Sequence, residues 1–571
     1  MALSPGREAM GSPYRYAPDP TGPGGGRLLP PGERLEMNIP ASGPELTAAS
    51  FVLALSPIFA LIVLMLGLGW GGSRAGPAGL LIASVVAWSR FGAGGEVIVH
   101  ALVRGVLISL PVLYIIVPAL LLYHVAEAAG GIRNIGWCVW DMTQNHILQL
   151  MILAFGFTSF LQGVAGFGVP VAVVAPLLVG IGYPPVQAVA ASLIGHAWAV
   201  SLGDMASSFQ ALLSVTDLPP TELAVLIASL LGLSGFAAAI SIAHLHAGWS
   251  AVFRWPLIIL LLGGLTSLAQ FVLAWLKLWI VASFGAGMIC LLVGFGLSRF
   301  RRYQLPSRPP SYPPKPEGER VRLKRPPDGT RRMSFHLAFS PYYALVIVVM
   351  VATFVPFIHD ILHHWRIEIP LKALRTSLGF LTPPKTWKIE PFGHPGALLL
   401  CTSYLGYLTF RAKGCWPGKR AALFRNTFRE AVPTSVGTVS MVAMASVMTV
   451  SGMIQVMAEG VAAFSGGLFP LFAPLVGLLG CFVTGSNTNA NILFGKFQVS
   501  VGEVLGKNPV VLAAGNSAGG SLGSMVAPAK VLVGCSTAGL AGREGEVFRR
   551  VGSYCAVQVA MVGLLTYWLA L

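Results

Sequence analysis

Residues 157–182 read FTSFLQGVAGFGVPVAVVAPLLVGIG, and residues 191–206 read ASLIGHAWAVSLGDMA. The stretch is apolar enough for the interior of a bilayer. It is also interrupted by Gly163, Gly166, Gly168, Pro170 and Pro176, and a continuous helix disfavours both residue types in its interior. A counterpart lies near the other end of the chain. Residues 480–495 read GCFVTGSNTNANILFG, and residues 513–528 read AAGNSAGGSLGSMVAP. Ser201 and Ser521 each open the pattern S-L-G-x-M, 521 − 201 = 320 residues apart. The match is short, but a Gly-rich broken segment precedes each copy. Together they predict an internal repeat, whose sense (parallel or inverted) the sequence does not give.

Composition sets the medium. Of 571 residues, 54% are hydrophobic and 11% charged, with a mean hydropathy of +0.72. A soluble domain carries about 25% charged residues, so the chain reads as an integral membrane protein. Its net charge of +16 would suggest nucleic acid in a soluble protein. Here the basic residues gather between apolar spans, where they orient a protein in the membrane, and no nucleic-acid partner is expected. None of the seven cysteines forms a C-x-x-C pair, which disfavours a disulfide framework or a zinc site.

Taken in order, residues 1–45 are rich in Pro and Gly without an apolar core, and read as a disordered tail rather than a signal peptide. A crossing needs about 20 apolar residues. Spans are expected near 46–70, 77–88 (short), 97–125, 147–162, 222–244, 255–276 and 279–297 in a first half, 46–298. His100 and Arg104 share a face of the third, where Arg104 is expected to snorkel to the headgroups. Residues 126–146 read as interfacial, with Trp137 and Trp140 at headgroup level. Residues 299–334 are Pro-rich and strongly basic, a cytoplasmic linker. A second half, 335–571, holds spans near 341–358, 394–410, 431–457, 466–483 and 551–571. The basic run 411–420 returns to the same side as the linker, so the 359–393 segment between them faces outward. That segment carries His359, Asp360, His363 and His364. His363-His364 lacks the spacing that puts two ligands on one helix face, and a loop cluster without metal is expected. The expected architecture is an all-α polytopic membrane protein: about 12 transmembrane helices plus two re-entrant or broken helical hairpins, at 163–206 and 484–528.

Broken apolar segments at corresponding places in two halves mark the binding site of a secondary transporter. Unwound backbone survives at membrane depth only where it is buried in protein or lines a wet cavity. Residues 484–491 supply Thr484, Ser486, Asn487, Thr488, Asn489 and Asn491, and residues 516–521 add Asn516, Ser517 and Ser521. These are neutral donors and acceptors beside helix N-termini, which favour a carboxylate. A small hydroxy-carboxylate suits such a site. The candidate substrate-binding residues are Gly163, Gly166, Gly168, Thr484, Ser486, Asn487, Thr488, Asn491, Asn516 and Ser517. His196 and Asp204 are ionisable groups at apparent membrane depth and therefore candidates for proton coupling. Lys496 and Lys530 stand at the rim. The plainer alternative gives the small residues to helix packing, His196 to a backbone hydrogen bond and Asp204 to a cap.

At these residues the chain resembles the lactate permease family. The resemblance rests on GVAGFGVPVA and APLLVGIGYPP in the first half, and on TGSNTNANILFG, NSAGGSLGSMVAP and TAGLAGREGEVFR in the second. It implies a cytoplasmic-membrane secondary transporter that imports lactate, and often glycolate, with protons. It also implies kinship with transporters that use paired re-entrant hairpins and an elevator-like movement. There are departures. The family pattern has an Asn–Thr pair where this chain has Gly195-His196-Ala197, a Lys at Ser524, and Ser-Pro-Gln at Ala527-Pro528-Ala529. These put the exact substrate in doubt, and a permease for another carboxylate or a sulfonate stays open. An anion channel and an integral membrane enzyme are the rival classes. No metal-binding acidic motif or nucleophile–base pair supports the enzyme, and no G-x-x-x-x-G-K-[ST] motif supports a pump. No cofactor is expected, and the oligomeric state is left open.

Overall fold

A computed structural model describes residues 44–304 and 333–571, apart from positions 69, 133, 136–137, 139–142, 144, 165, 167, 181, 417–419 and 541–542. The tail up to residue 43, all but the ends of the basic linker, and Trp137 and Trp140 lie outside the described residues.

Ten described helical runs are long and apolar enough to cross a membrane. An eleventh is added if Ser340–Phe354 and Pro356–His364, bent by 86° to one another, make one crossing. Pro356 causes the bend: it lacks an N–H and holds Val355 extended. The twelve spans expected from the sequence include 77–88 and 394–410. These form Gly72–Arg90 and Pro395–Ala412, of 19 and 18 residues, and neither is among the ten. Conversely, the broken run Pro509–Thr537 is among them.

The 359–393 segment adds short strands to an otherwise helical set of described elements. Ile367–Leu371 pairs antiparallel with Lys385–Ile389, in register Ile367 to Ile389 and Leu371 to Lys385. Inside that pair, Leu374–Arg375 faces Leu381–Thr382. The histidines precede it on a helix rather than a loop, and His359 and His363 stack with ring centroids 4.0 Å apart. His363 faces Glu390 at 3.6 Å. Among the described residues no three His, Cys, Asp or Glu side chains gather as a metal site.

Two stretches share one order of elements. The first runs His146–Val164, Val169–Gly180, Pro185–Ala197, Ser207–Thr216 and Pro220–Arg254. The second runs Phe469–Thr484, Asn487–Leu505, Pro509–Gly523, Pro528–Thr537 and Glu544–Leu569. In each, breaks follow the first and third helices. Burial explains why the breaks are tolerated. The apolar window within His146–Val164 is 100% buried and that within Pro509–Thr537 is 94% buried, against 22% for Ala48–Met65. Protein, not lipid, surrounds the interrupted backbone.

Glycine sets how closely these helices approach. A Cβ at Gly163 would stand 2.4 Å from the Phe284 N and Cα atoms, and one at Gly287 would stand 2.4 Å from Phe160 N. The same reciprocity joins Phe469–Thr484 to Pro509–Gly523: a Cβ at Gly477 would meet the Asn516 carbonyl oxygen at 1.9 Å, and one at Gly519 the Pro474 oxygen at 1.8 Å. Gly163→Ala should therefore destabilise the protein by roughly 1–3 kcal/mol or more, the usual cost of overpacking. Thermal unfolding in detergent measures this. A melting temperature equal to wild type would show that the interface has room to spare.

Candidate functional site

The breaks of the two stretches meet through hydrogen bonds. Ser201, in the interruption after Pro185–Ala197, donates its backbone N–H to Ser521 Oγ at 3.2 Å and its hydroxyl to the Ser517 carbonyl at 2.9 Å. Ser521 in turn donates to the Ala197 carbonyl at 2.6 Å. Asn487, first residue of the helix beyond the Gly485 break, donates from Nδ2 to Ser201 Oγ at 3.0 Å. Asn491 donates to the Ser208 carbonyl at 2.9 Å and to Ser517 Oγ at 3.0 Å. Asn516 donates to Asn491 Oδ1 at 3.3 Å, and Gln498 to Asn516 Oδ1 at 3.2 Å. Thr488 shares a 2.9 Å hydrogen bond with Ser208. One polar network thus ties residues 201–208 to residues 487–521 with every member buried. Gly520 makes room for it, since a Cβ there would lie 2.1 Å from Asn487 Oδ1. That oxygen has no hydrogen-bond partner among the described residues.

Beside the network sit three ionisable groups. Among the described residues Asp204 is the only buried carboxylate and Lys530 the only buried lysine or arginine, at 5% and 6% exposure; His196 is fully buried. His196 Nδ1 faces the Ser192 carbonyl at 3.1 Å. A carbonyl only accepts, so Nδ1 carries the proton and Nε2 is left as an acceptor. Ser524 Oγ at 3.3 Å and Lys530 Nζ at 3.5 Å approach that Nε2. Asp204 accepts from Ser207 Oγ at 2.9 Å through Oδ2, while Oδ1 has no partner among the described residues. Its backbone is strained. Asp204, Met205 and Ala206 have φ of 50°, 51° and 61°, a run of three non-glycine residues in the left-handed region.

The expected site residues divide by what they touch. Asn487, Thr488, Asn491, Asn516 and Ser517 enter the network. His196 and Asp204 lie beside it. Thr484 and Ser486 serve the break itself: the single Thr484 hydroxyl proton is shared between the Gly480 and Ser486 carbonyls, at 2.8 and 2.9 Å, and Ser486 Oγ accepts from the Asn489 N–H at 3.4 Å. The three glycines part company. Gly163 faces the Phe284 backbone, and Gly168 has φ +87° with only Val533 near it. Gly166 alone of the three faces an ionisable group: a Cβ there would lie 3.5 Å from Asp204 Cβ. Sequence reasoning leaves Ser201, Ser208 and Gln498 out of the site, and puts Lys530 at its rim. Ser201 has a signal, its place in the repeated S-L-G. Ser208 and Gln498 have none, because each lies in a helix of ordinary composition.

Fold and site together define a polytopic membrane transporter built around broken, protein-enclosed helices. The model of the L-lactate permease family matches residues 50–571, and the chain belongs to that family. It is 28% identical over 488 residues to the L-lactate permease of Salmonella typhi, covering 80% of this chain and 84% of that one. It is 28% identical over 525 residues to the L-lactate permease of Bacillus subtilis, covering 87% and 91%. With the glycolate permease GlcA of Escherichia coli it shares 26% over 553 residues, covering 93% and 97%. Among solved structures, the Alcanivorax borkumensis YdaH transporter aligns over 80% of this chain and 84% of its own, at TM-score 0.43 and 14% identity. The chain is accordingly an integral cell-membrane transporter of the permease type, and not an enzyme.

Proposed function

We propose that the protein imports L-lactate, or a closely similar 2-hydroxy-carboxylate, together with protons. The observation that carries this reading is the set His196, Lys530 and Asp204, all buried, beside a network of neutral hydrogen-bonding groups. A carboxylate needs a positive partner at this depth, and Lys530 supplies it. A hydroxyl needs an acceptor, and Asn487 Oδ1 is buried and unfilled. A buried ion is costly unless paired. On this reading Asp204, which acts on Lys530 through space without forming an ion pair, offsets its charge when the site is empty. When the substrate carboxylate takes that place, Asp204 takes up a proton, so charge and proton enter together. His196, accepting at Nε2 beside Lys530, is the second candidate to carry the proton.

The test is uptake of labelled L-lactate into proteoliposomes under an imposed inward proton gradient, competed by glycolate, pyruvate and acetate. Accumulation that collapses with the gradient, and that hydroxy acids compete for best, is expected. Gradient-independent uptake, or accumulation of a sulfonate in place of lactate, would overturn the reading. In the same assay Asn487→Ala should raise the KM for L-lactate about tenfold, the value of one buried hydrogen bond to a ligand. Acetate, which has no hydroxyl, should compete equally well with wild type and mutant. An unaltered KM for L-lactate would take Asn487 out of the site.

A further inference from the structure

A cavity of about 460 Å³ opens between Ser207–Thr216 and the strand Lys385–Ile389, lined by Gln210, Ser214, Asp217, Lys385, Lys388 and His394 among others. Ser214 and Lys385 also line a narrower recess with Arg104, Ser446, Thr449 and Lys496. The recess has three cations and no carboxylate on its walls. Lys385 is held at its mouth by Asp217 at 2.5 Å. Among the described residues Arg104 and Lys496 form no ion pair, and Asp217, already paired with Lys385, acts on Arg104 only from beyond ion-pair distance. Arg104 thus does not simply snorkel to headgroups, as its position in the sequence suggests; it faces a recess inside the protein.

Two helices run from this recess to the polar network. Ser207–Thr216 begins with Ser207 on Asp204 and Ser208 on Thr488, and Ser214 stands about two turns further along. Asn487–Leu505 begins with Asn487, Thr488 and Asn491, and Ile492, Leu493 and Lys496 follow on the recess wall. Lys496 therefore stands about two and a half turns along a helix whose first turn joins the network, while Arg104 and Lys385 reach the recess from the helix Gly95–Ala128 and the strand Lys385–Ile389.

We propose that Arg104 and Lys496, with Lys385 at the mouth, form an outer docking site for the monocarboxylate anion, which rests there before passing to the Asn487–Lys530 centre. The inference rests on the transport reading above. A half-enclosed recess with low-dielectric walls and a net positive charge concentrates anions, and a guanidinium matches a carboxylate with two parallel hydrogen bonds. Lys385 belongs to the 359–393 segment, which the basic runs of the sequence orient outward, and on that orientation the recess serves the incoming anion.

The experiment measures initial rates of L-lactate uptake by the full chain in proteoliposomes at low and high ionic strength. The variants are Arg104→Gln, Lys496→Gln and Arg104→Lys. At low ionic strength each Gln variant should raise KM roughly tenfold, within the range by which a charged cleft enriches its ligand, with a much smaller change in maximal rate. Wild-type KM should rise with salt, and that dependence should flatten in the Gln variants. Arg104→Lys, which keeps the charge, should retain most of the salt dependence. Lys496→Gln reads the same site should Arg104→Gln fail to insert. Wild-type KM and wild-type salt dependence in both Gln variants would overturn the outer site while leaving the transport reading intact. Absence of uptake by folded wild-type protein would overturn the transport reading, and the outer site with it.

Discussion

Lys530→Met transporter should reach the membrane in normal amount and take up L-lactate at roughly one hundredth of the wild-type rate or less, the scale of losing one partner of a buried charge pair. Methionine keeps the length and apolar stem of lysine, so the helix Pro528–Thr537 should pack as before. What disappears is the only buried lysine or arginine among the described residues. Ser524 still reaches His196 Nε2, so the imidazole keeps a neutral donor. An incoming carboxylate, however, then meets Asp204 with no positive charge between them. Initial-rate uptake, normalised to inserted protein, measures the effect. A rate within about threefold of wild type, a small part of that charge-pair loss, would show that the anion is held by backbone amides alone. The result also bears on the departure at position 524. Where the family pattern has a lysine, this chain has Ser524, and the ammonium near His196 comes instead from Lys530, a little further along the chain.

Asp204→Asn should separate transport from its driving force. The amide is isosteric with the carboxylate and can still accept from Ser207 at Oδ1, so the strained turn keeps its local hydrogen bond. It cannot exchange a proton. In the proposed cycle Asp204 must be protonated for substrate to sit beside Lys530, and must release that proton for the empty carrier to reset. The Asn variant resembles the protonated state permanently. It should therefore exchange labelled for unlabelled L-lactate at a rate near wild type, and lose gradient-driven accumulation by about a hundredfold or more, the loss expected when a proton-transfer group is removed. Equal loss of exchange and accumulation would make Asp204 a structural residue. Equal retention of both would assign coupling to His196 or to neither.

Much of this architecture is legible in the residues alone. Glycine and proline inside apolar runs announce broken helices, because their backbone effect is local. The S-L-G-x-M pair gives the repeat its alignment, and its two serines bond each other. The Asn-rich run 484–491 announces a polar interior, because three asparagines are out of place in a lipid-facing helix. What is not legible depends on distance in space. Gly163 and Gly166 are neighbours in the same motif, yet one packs against Phe284 and the other faces Asp204; only the adjoining helix decides which. Lys530 reads as a rim residue because it lies just past Pro528, where the broken segment 484–528 ends. It is buried because the helix carrying it lies against Val169–Gly180 and Pro185–Ala197. The short strands of the 367–389 segment escape a sequence reading since their alternation, with Pro370 inside, is too brief to register.

The turn at Asp204–Ala206 has an energetic meaning beyond its geometry. Each non-glycine residue in the left-handed region costs roughly 1–2 kcal/mol, so three in succession hold roughly 3–6 kcal/mol in about one turn of chain. Glycine would hold the same shape nearly without strain, and the chain, which uses glycine liberally elsewhere, places Asp, Met and Ala here. A membrane potential does about 2.3 kcal/mol of work on one elementary charge per 100 mV. The two quantities are of one order. On the proposed proton coupling, the carboxylate that receives the proton opens this turn, so the strain stored there and the work of one proton's fall across the membrane meet at a single residue, Asp204.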